Sequence, residues 1–122
     1  MNSPTLNSPG ALRDCVVGVA EDMKGQNIDI IDLTDRNAFA DYLVIVSGTS
    51  TRQVKAIADK IVERVKAEGV RPLGVEGERE GEWVLVDLAD VVVHVMLPQT
   101  RAFYNLEKLW SMPPETRSGV RG

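Results

Sequence analysis

Cysteine, histidine and aromatic residues are all scarce in this chain. It holds one cysteine, Cys15, and one histidine, His94, in 122 residues. A lone thiol cannot close an internal disulfide, so the stapled scaffold of small secreted domains is excluded. One His and one Cys fall short of the ligand set of a zinc centre, and no metal or other cofactor is expected. No apolar run approaches membrane-spanning length. The first ten residues show neither a basic segment with an apolar run nor an Arg-rich amphipathic pattern, so no presequence is read and the chain is expected to be cytoplasmic. Positive charge is also short: 14 Lys and Arg stand against 18 Asp and Glu, a net charge of −4. Nucleic-acid binding through a general field relies on clustered Lys and Arg, so this balance favours a basic protein partner or a neutral ligand.

What is present suits one folded domain. Apolar residues make up 43% of the chain, an ordinary share, and a domain of this size buries roughly two-thirds of its unfolded surface. Residues 1–10 and 112–122 are rich in Pro, Gly and Ser and read as tails, leaving 11–111 as the domain. From Ala11 to Lys24, Leu12, Val16, Val19, Ala20 and Met23 recur at spacings of three and four, which predicts a helix with one apolar stripe. Gly25 is expected to end it in the left-handed cap conformation. Cys15 falls in this helix among apolar neighbours and reads as a small core side chain. Asn27 to Leu33 reads as a strand with Ile28 and Ile30 on one face and Asp29 on the other. Tyr42 to Ser47 is a continuous, β-branched apolar run, the pattern of a buried central strand.

Gly48, Thr49 and Ser50 then turn the chain into its best helix. Ser50 with Gln53 forms a capping box, Val54, Ile57, Ala58, Ile61, Val62 and Val65 form the stripe, and Gly69 is the stop. Lys55 and Asp59 are spaced to pair on the outer side. Val70 to Gly81 is part strand and part charged loop. Residues 83–97 follow as two short strands, apolar on both faces and joined by an acidic connection at Asp87 to Asp90. Strands that do not alternate must bury both faces, and few helices are at hand to cover both. Pro98 ends this hairpin, and Thr100 is expected to cap a last helix to about Ser111, with Phe103, Leu106 and Trp110 on one side and Tyr104 and Lys108 on another. The expectation is an α/β (α+β) fold, a mixed sheet of four or five strands with three helices, whose sheet is partly uncovered.

Few constellations carry chemistry. The 47–53 turn lacks the Lys and the spacing of a P-loop, although a phosphate can sit at such a helix N-terminus. A strand, Gly-Thr-Ser and a helix also suit a nucleotidyltransferase-like enzyme, but that chemistry needs paired carboxylates on a strand, and Asp87 and Asp90 are three apart across a turn. Glu76, Glu78, Glu80 and Glu82 match no calcium loop; they read as a solvated acidic rim that can steer a basic partner. His94 needs Asp87 or Asp90 in reach to serve as a general base, and otherwise packs on the sheet or at an interface. Trp83 begins a strand beside the charged loop, where a half-buried Trp makes an interface anchor.

Several of these segments together resemble the ribosomal silencing factor family, also called Iojap-like. They are Asp41 to Ser50 with Arg52, Val54, Ala58 and Asp59; Pro72 to Glu78; Trp83; Asp87 to Met96; and Tyr104 to Trp110. The resemblance runs over about residues 11–111. It implies a non-enzymatic factor with a nucleotidyltransferase-like fold lacking catalytic carboxylates. It further implies binding to the large ribosomal subunit through large-subunit ribosomal protein number fourteen, a steric block to subunit joining, and lower translation when nutrients are scarce. Organellar relatives act in large-subunit assembly, and members self-associate. By this analogy the partner-binding residues are Trp83, Leu85, Asp90, His94 and Met96, with Tyr104 and Lys108 from the last helix. Whether the Trp83–Leu85 and His94–Met96 faces coincide depends on hairpin register.

Overall fold

A computed structural model describes residues 6, 8–36 and 38–111. The tail expected at 112–122, and residues 1–5 and 7 of the other, lie outside the described residues. The elements run α1 (Pro9–Asp22), β1 (Gln26–Asp32), β2 (Tyr42–Ser47), α2 (Thr51–Ala67), β3 (Gly74–Glu76), β4 (Trp83–Asp87), β5 (Val91–Met96), α3 (Pro98–Tyr104) and α4 (Leu106–Ser111). The five strands form one mixed sheet in the order β1-β2-β5-β4-β3, with β2 and β5 parallel at its centre and every other pair antiparallel.

The helix ends follow from their caps. Ser8 accepts from the Ala11 N–H, so α1 begins at Pro9, inside the segment read as a tail, and Leu6 packs on the core. At the other end Lys24, not Gly25, takes the left-handed position, with φ +66. Gly25 is needed for close approach instead, since a Cβ there would stand 2.6 Å from Val46 Cγ1 and 3.0 Å from the Ala20 carbonyl oxygen. In α2 the Ser50 hydroxyl accepts from the Gln53 N–H as expected, but the Gln53 side-chain oxygen accepts from the N–H and hydroxyl of Thr49. Its amide also donates to the carbonyls of Met23 and Lys24, joining the start of α2 to the end of α1. The helix closes in a Schellman turn: Gly69, at φ +91, donates to Lys66 and Val70 donates to Val65. On its outer side the ion pair is Lys60–Glu63, while the Lys55 stem lies over Gly81 rather than beside Asp59.

Helices α1 and α2 cover one sheet face. Val16, Val19, Val44, Val46, Ile57, Ile61, Val84, Val86, Val93 and Val95 form the larger core there. Cys15 packs against it, and burial pushes its thiol above the ordinary range, away from thiolate chemistry. The opposite face has a smaller core of Leu33, Ala40, Leu43, Ile45, Val92 and Met96, with Ala38 and Leu106 packed against it. The sheet is therefore less open than the sequence suggests, because the connection between β1 and β2 folds over it.

The expected last helix is two helices. Leu97 is the N-cap and Pro98 opens α3, where its missing N–H costs nothing, so Thr100 lies inside the first turn rather than at the cap. Asn105, at φ 51 and ψ 57, breaks the helix in the left-handed conformation. Its side-chain oxygen then accepts from the Lys108 N–H and starts α4. The break shifts the helical phase, so Phe103 points outward and is 80% exposed while Leu106 faces the small core.

A candidate protein-binding face

The hairpin register answers the question the sequence leaves open. Trp83 stands opposite Met96 and Leu85 opposite His94. Residues paired across an antiparallel ladder project to the same side, so all four share the face that carries the small core. The same alternation sends Val84, Val86, Val93 and Val95 to the helix-covered side, where each is fully buried.

These four differ in exposure. Met96 has no exposed surface and forms the floor. It is thus a support and not a contact, because it is enclosed in the small core with Leu43, Ile45 and their neighbours. Trp83, Leu85 and His94 are half-buried. The Trp83 indole N–H donates to His94 Nδ1 at 2.8 Å. Burial pulls the His94 pKa down from 6.5 to about 4, so the ring is neutral. The indole also meets Tyr104 at 4.7 Å between ring centres, tilted by 47°. Tyr104 in turn meets the Phe103 ring edge-on at 4.9 Å. The sequence puts Phe103 on one side of a single helix with Leu106 and Trp110, and Tyr104 on another; the break at Asn105 separates Phe103 from Leu106 and leaves it in this row.

Asp90 does not join the group. It lies in the turn at the opposite end of the hairpin, where its carbonyl accepts from the N–H groups of Asp41 and Tyr42. Four residue steps separate it from His94, about 13 Å along the chain direction of β5. Lys108 is exposed on α4, beyond the Asn105 break. The acidic loop lies nearer than Asp90. A Cβ on Gly77 would run into the Trp83 carbonyl, which places the beginning of this loop directly against the start of β4, while Gly81 packs on Thr51 and Lys55 of α2 and Glu78, Glu80 and Glu82 are exposed.

A second feature is the buried cation Arg101, which the sequence did not single out. It donates to Ser47 at the end of β2, to Asp29 on β1 and twice to Glu107 on α4. Burial opposes ionisation of Glu107, but the hydrogen bonds from Arg101 outweigh it and hold that carboxyl below its ordinary range. Asp29 is shifted up by its hydrogen bond with Glu107 and by burial. No short-range pattern marks this cluster, since its members come from four elements.

Among the described residues, the catalytic candidates that the sequence offers do not come together. The Asp87 carboxylate accepts from the Ala89 N–H and so serves the hairpin turn. The N–H groups of Thr49 and Gln53 at the start of α2 are already bonded to side chains, and Gly48 is pressed against Val54, so a phosphate would have to displace the cap. Among the described residues no group of three or more His, Cys, Asp or Glu could hold a metal ion, and no helix is long and apolar enough to cross a membrane.

Comparison with known proteins matches residues 6–120 to a family described as ribosomal silencing factor during starvation. A ribosomal silencing factor RsfS from Chromobacterium violaceum is 46% identical over 90 residues, covering 74% of each chain. One from Zymomonas mobilis is 38% identical over 123 residues, covering 98% of this chain and 92% of that one. A mouse protein named mitochondrial assembly of ribosomal large subunit protein 1 is 35% identical over 102 residues, covering 81% of this chain and 45% of its own. A crystal structure of a Chromobacterium violaceum protein superposes with a TM-score of 0.83 at 39% identity, covering 85% of this chain and 87% of that one.

Proposed function

This chain belongs to the ribosomal silencing factor family, and on that premise we propose that it is a non-enzymatic repressor of translation. It binds the large ribosomal subunit through large-subunit ribosomal protein number fourteen and sterically blocks joining of the small subunit when nutrients are limiting. The observation that carries this reading is the row Trp83–Tyr104–Phe103. It is an aromatic ledge with Tyr104 and Phe103 well exposed, bordered by the acidic 77–81 loop on a protein of net charge −4. Aromatic anchors ringed by charge fit a protein partner, and the acidic rim fits a basic one. The contacting residues are Trp83, Leu85, His94, Tyr104 and Lys108, with Phe103 added and Met96 beneath them; Asp90 lies outside the patch. The free protein can use the same ledge for self-association, and the setting is cytoplasmic.

Purified subunits mixed with the protein and resolved on a sucrose gradient test the proposal. Joined ribosomes should fall as the protein is raised, and undiminished joining at saturation would refute it. Trp83→Ala should weaken co-sedimentation with the large subunit roughly tenfold, about 1.4 kcal/mol. A second reading, large-subunit assembly, is favoured by the name of the mouse relative. It requires the protein on precursor particles, whereas silencing requires it on mature subunits in starved cells. A nucleotidyltransferase-like activity requires heat of binding in a calorimetric titration with nucleotide and Mg²⁺, and a flat trace is expected.

A further inference from the structure

A tryptophan side chain has one polar atom, the indole N–H, and that atom can only donate. In Trp83 it is directed at His94 Nδ1, at 2.8 Å. A ring nitrogen that accepts carries no proton, so this bond also fixes the imidazole as the tautomer protonated on Nε2. Trp83 and His94 come from adjacent strands and lie on one diagonal of the ladder, since Trp83 pairs with Met96 and Leu85 with His94. The acceptor is thus carried by β5 at the centre of the sheet, while the donor sits at a strand end beside a loop. Beyond the indole, contact passes to Tyr104 at 4.7 Å and to Phe103 at 4.9 Å. Those last two rings, 52% and 80% exposed, stand on a seven-residue helix that ends at the Asn105 break.

We propose that His94 is a positioning residue of the docking face. Its unprotonated Nδ1 fixes the plane of the Trp83 indole, and the indole in turn sets the ring of Tyr104 and the edge of Phe103. The aromatic row therefore meets its protein partner already ordered. Ordering side chains during association lowers affinity, and a face ordered beforehand avoids that loss. This rests on the reading of the face as the ribosome-binding surface. It changes the part His94 plays there, from a contact to the support that sets a contact.

Two substitutions separate support from packing. His94→Asn places an amide oxygen where Nδ1 stands and keeps the acceptor. His94→Phe keeps a ring of similar size and removes it. In the full-length protein the Trp83 indole N–H resonance, told apart from that of Trp110 by its loss in Trp83→Phe, reports the bond through its exchange with solvent. Co-sedimentation with purified large subunits reports binding. His94→Asn should keep the indole protected and bind within about twofold of wild type, whereas His94→Phe should lose protection and bind roughly fivefold more weakly. Trp83→Phe, which keeps an aromatic ring but lacks the donor, should weaken binding similarly even if His94→Phe folds poorly. The double variant should be no worse than Trp83→Phe, because both remove one bond. A wild-type protein that binds beside a His94→Phe protein that loses indole protection yet binds equally well would overturn the inference alone. A double variant whose losses add would do the same. A wild-type protein that does not sediment with large subunits would overturn the functional reading and this inference with it.

Discussion

The acceptor at His94 Nδ1 requires a neutral ring, which burial favours, and that has a consequence for stability. The folded ring titrates at about 4 against an ordinary 6.5. Below pH 6.5 the unfolded chain takes up a proton that the folded one refuses, so stability from this residue is complete above 6.5 and is lost as pH falls toward 4. Urea unfolding at pH 6.8 and 4.8 should show wild type losing on the order of 2 kcal/mol more than His94→Phe. Carboxylates common to both proteins cancel in that difference, and equal losses would show that the folded ring takes up its proton at the same pH as the unfolded one. A second residue-scale prediction concerns Gly25. Its Cβ would press on Val46 Cγ1 and the Ala20 carbonyl, so Gly25→Ala should cost about 1–3 kcal/mol in the same measurement. The sequence offered Gly25 as a helix stop because glycine next to a helix usually is one. Its true neighbour, Val46, lies on a strand that only the folded sheet brings near. His94 reads from the sequence as packed on the sheet or at an interface, but its bond to Trp83 needs the hairpin register.

Elements with strong local signals were read correctly, and those set by distant contacts were not. Strand β2 and helix α2 carry unbroken apolar patterns and a Ser50 cap, and the structure places them at Tyr42–Ser47 and Thr51–Ala67. The C-terminal helix was misjudged because its apolar spacing continues across Asn105, whereas its geometry is set by Arg101. That guanidinium holds α3 to β1 and β2 and reaches over the break to Glu107 on α4. Asn tolerates the left-handed conformation better than most residues, so the chain can bend where the ion pairs demand. Arg101→Ala would leave Asn105 in place but set Asp29 and Glu107 against each other without a cation. Their side chains are 57% and 29% exposed, so water offsets part of the loss. The expected cost is about 2 kcal/mol at pH 7, below that of a fully buried pair. It should shrink at pH 4, as protonation removes the repulsion. A deficit in denaturant midpoint that stays constant between the two pH values would mean that Arg101 acts through packing and not charge.

For the whole molecule, the distribution of charge decides more than its sum. The net charge of −4 was legible at once, but the acidic turn of the hairpin and the acidic 77–81 loop could not be told apart in their relation to the aromatic row. The fold separates them. Asp90 sits at the far end of the β4–β5 pair, while the loop that carries the exposed Glu78 and Glu80 starts with Gly77 against the Trp83 backbone. At physiological salt the screening length is about 8 Å, shorter than the run of strand between Asp90 and His94. Steering of a basic partner onto the aromatic ledge should therefore depend on the loop and hardly on the turn. Charge reversal at Glu80 is expected to slow association with the large subunit several-fold at low salt and to leave dissociation nearly unchanged, since rim charges act on encounter. Asp90→Lys should alter the association rate much less. Stopped-flow or surface-based kinetics at two salt concentrations would decide it. If Asp90→Lys slows association as much as Glu80→Lys, the partner's footprint extends down the whole hairpin, and the ledge around Trp83 is only its upper part.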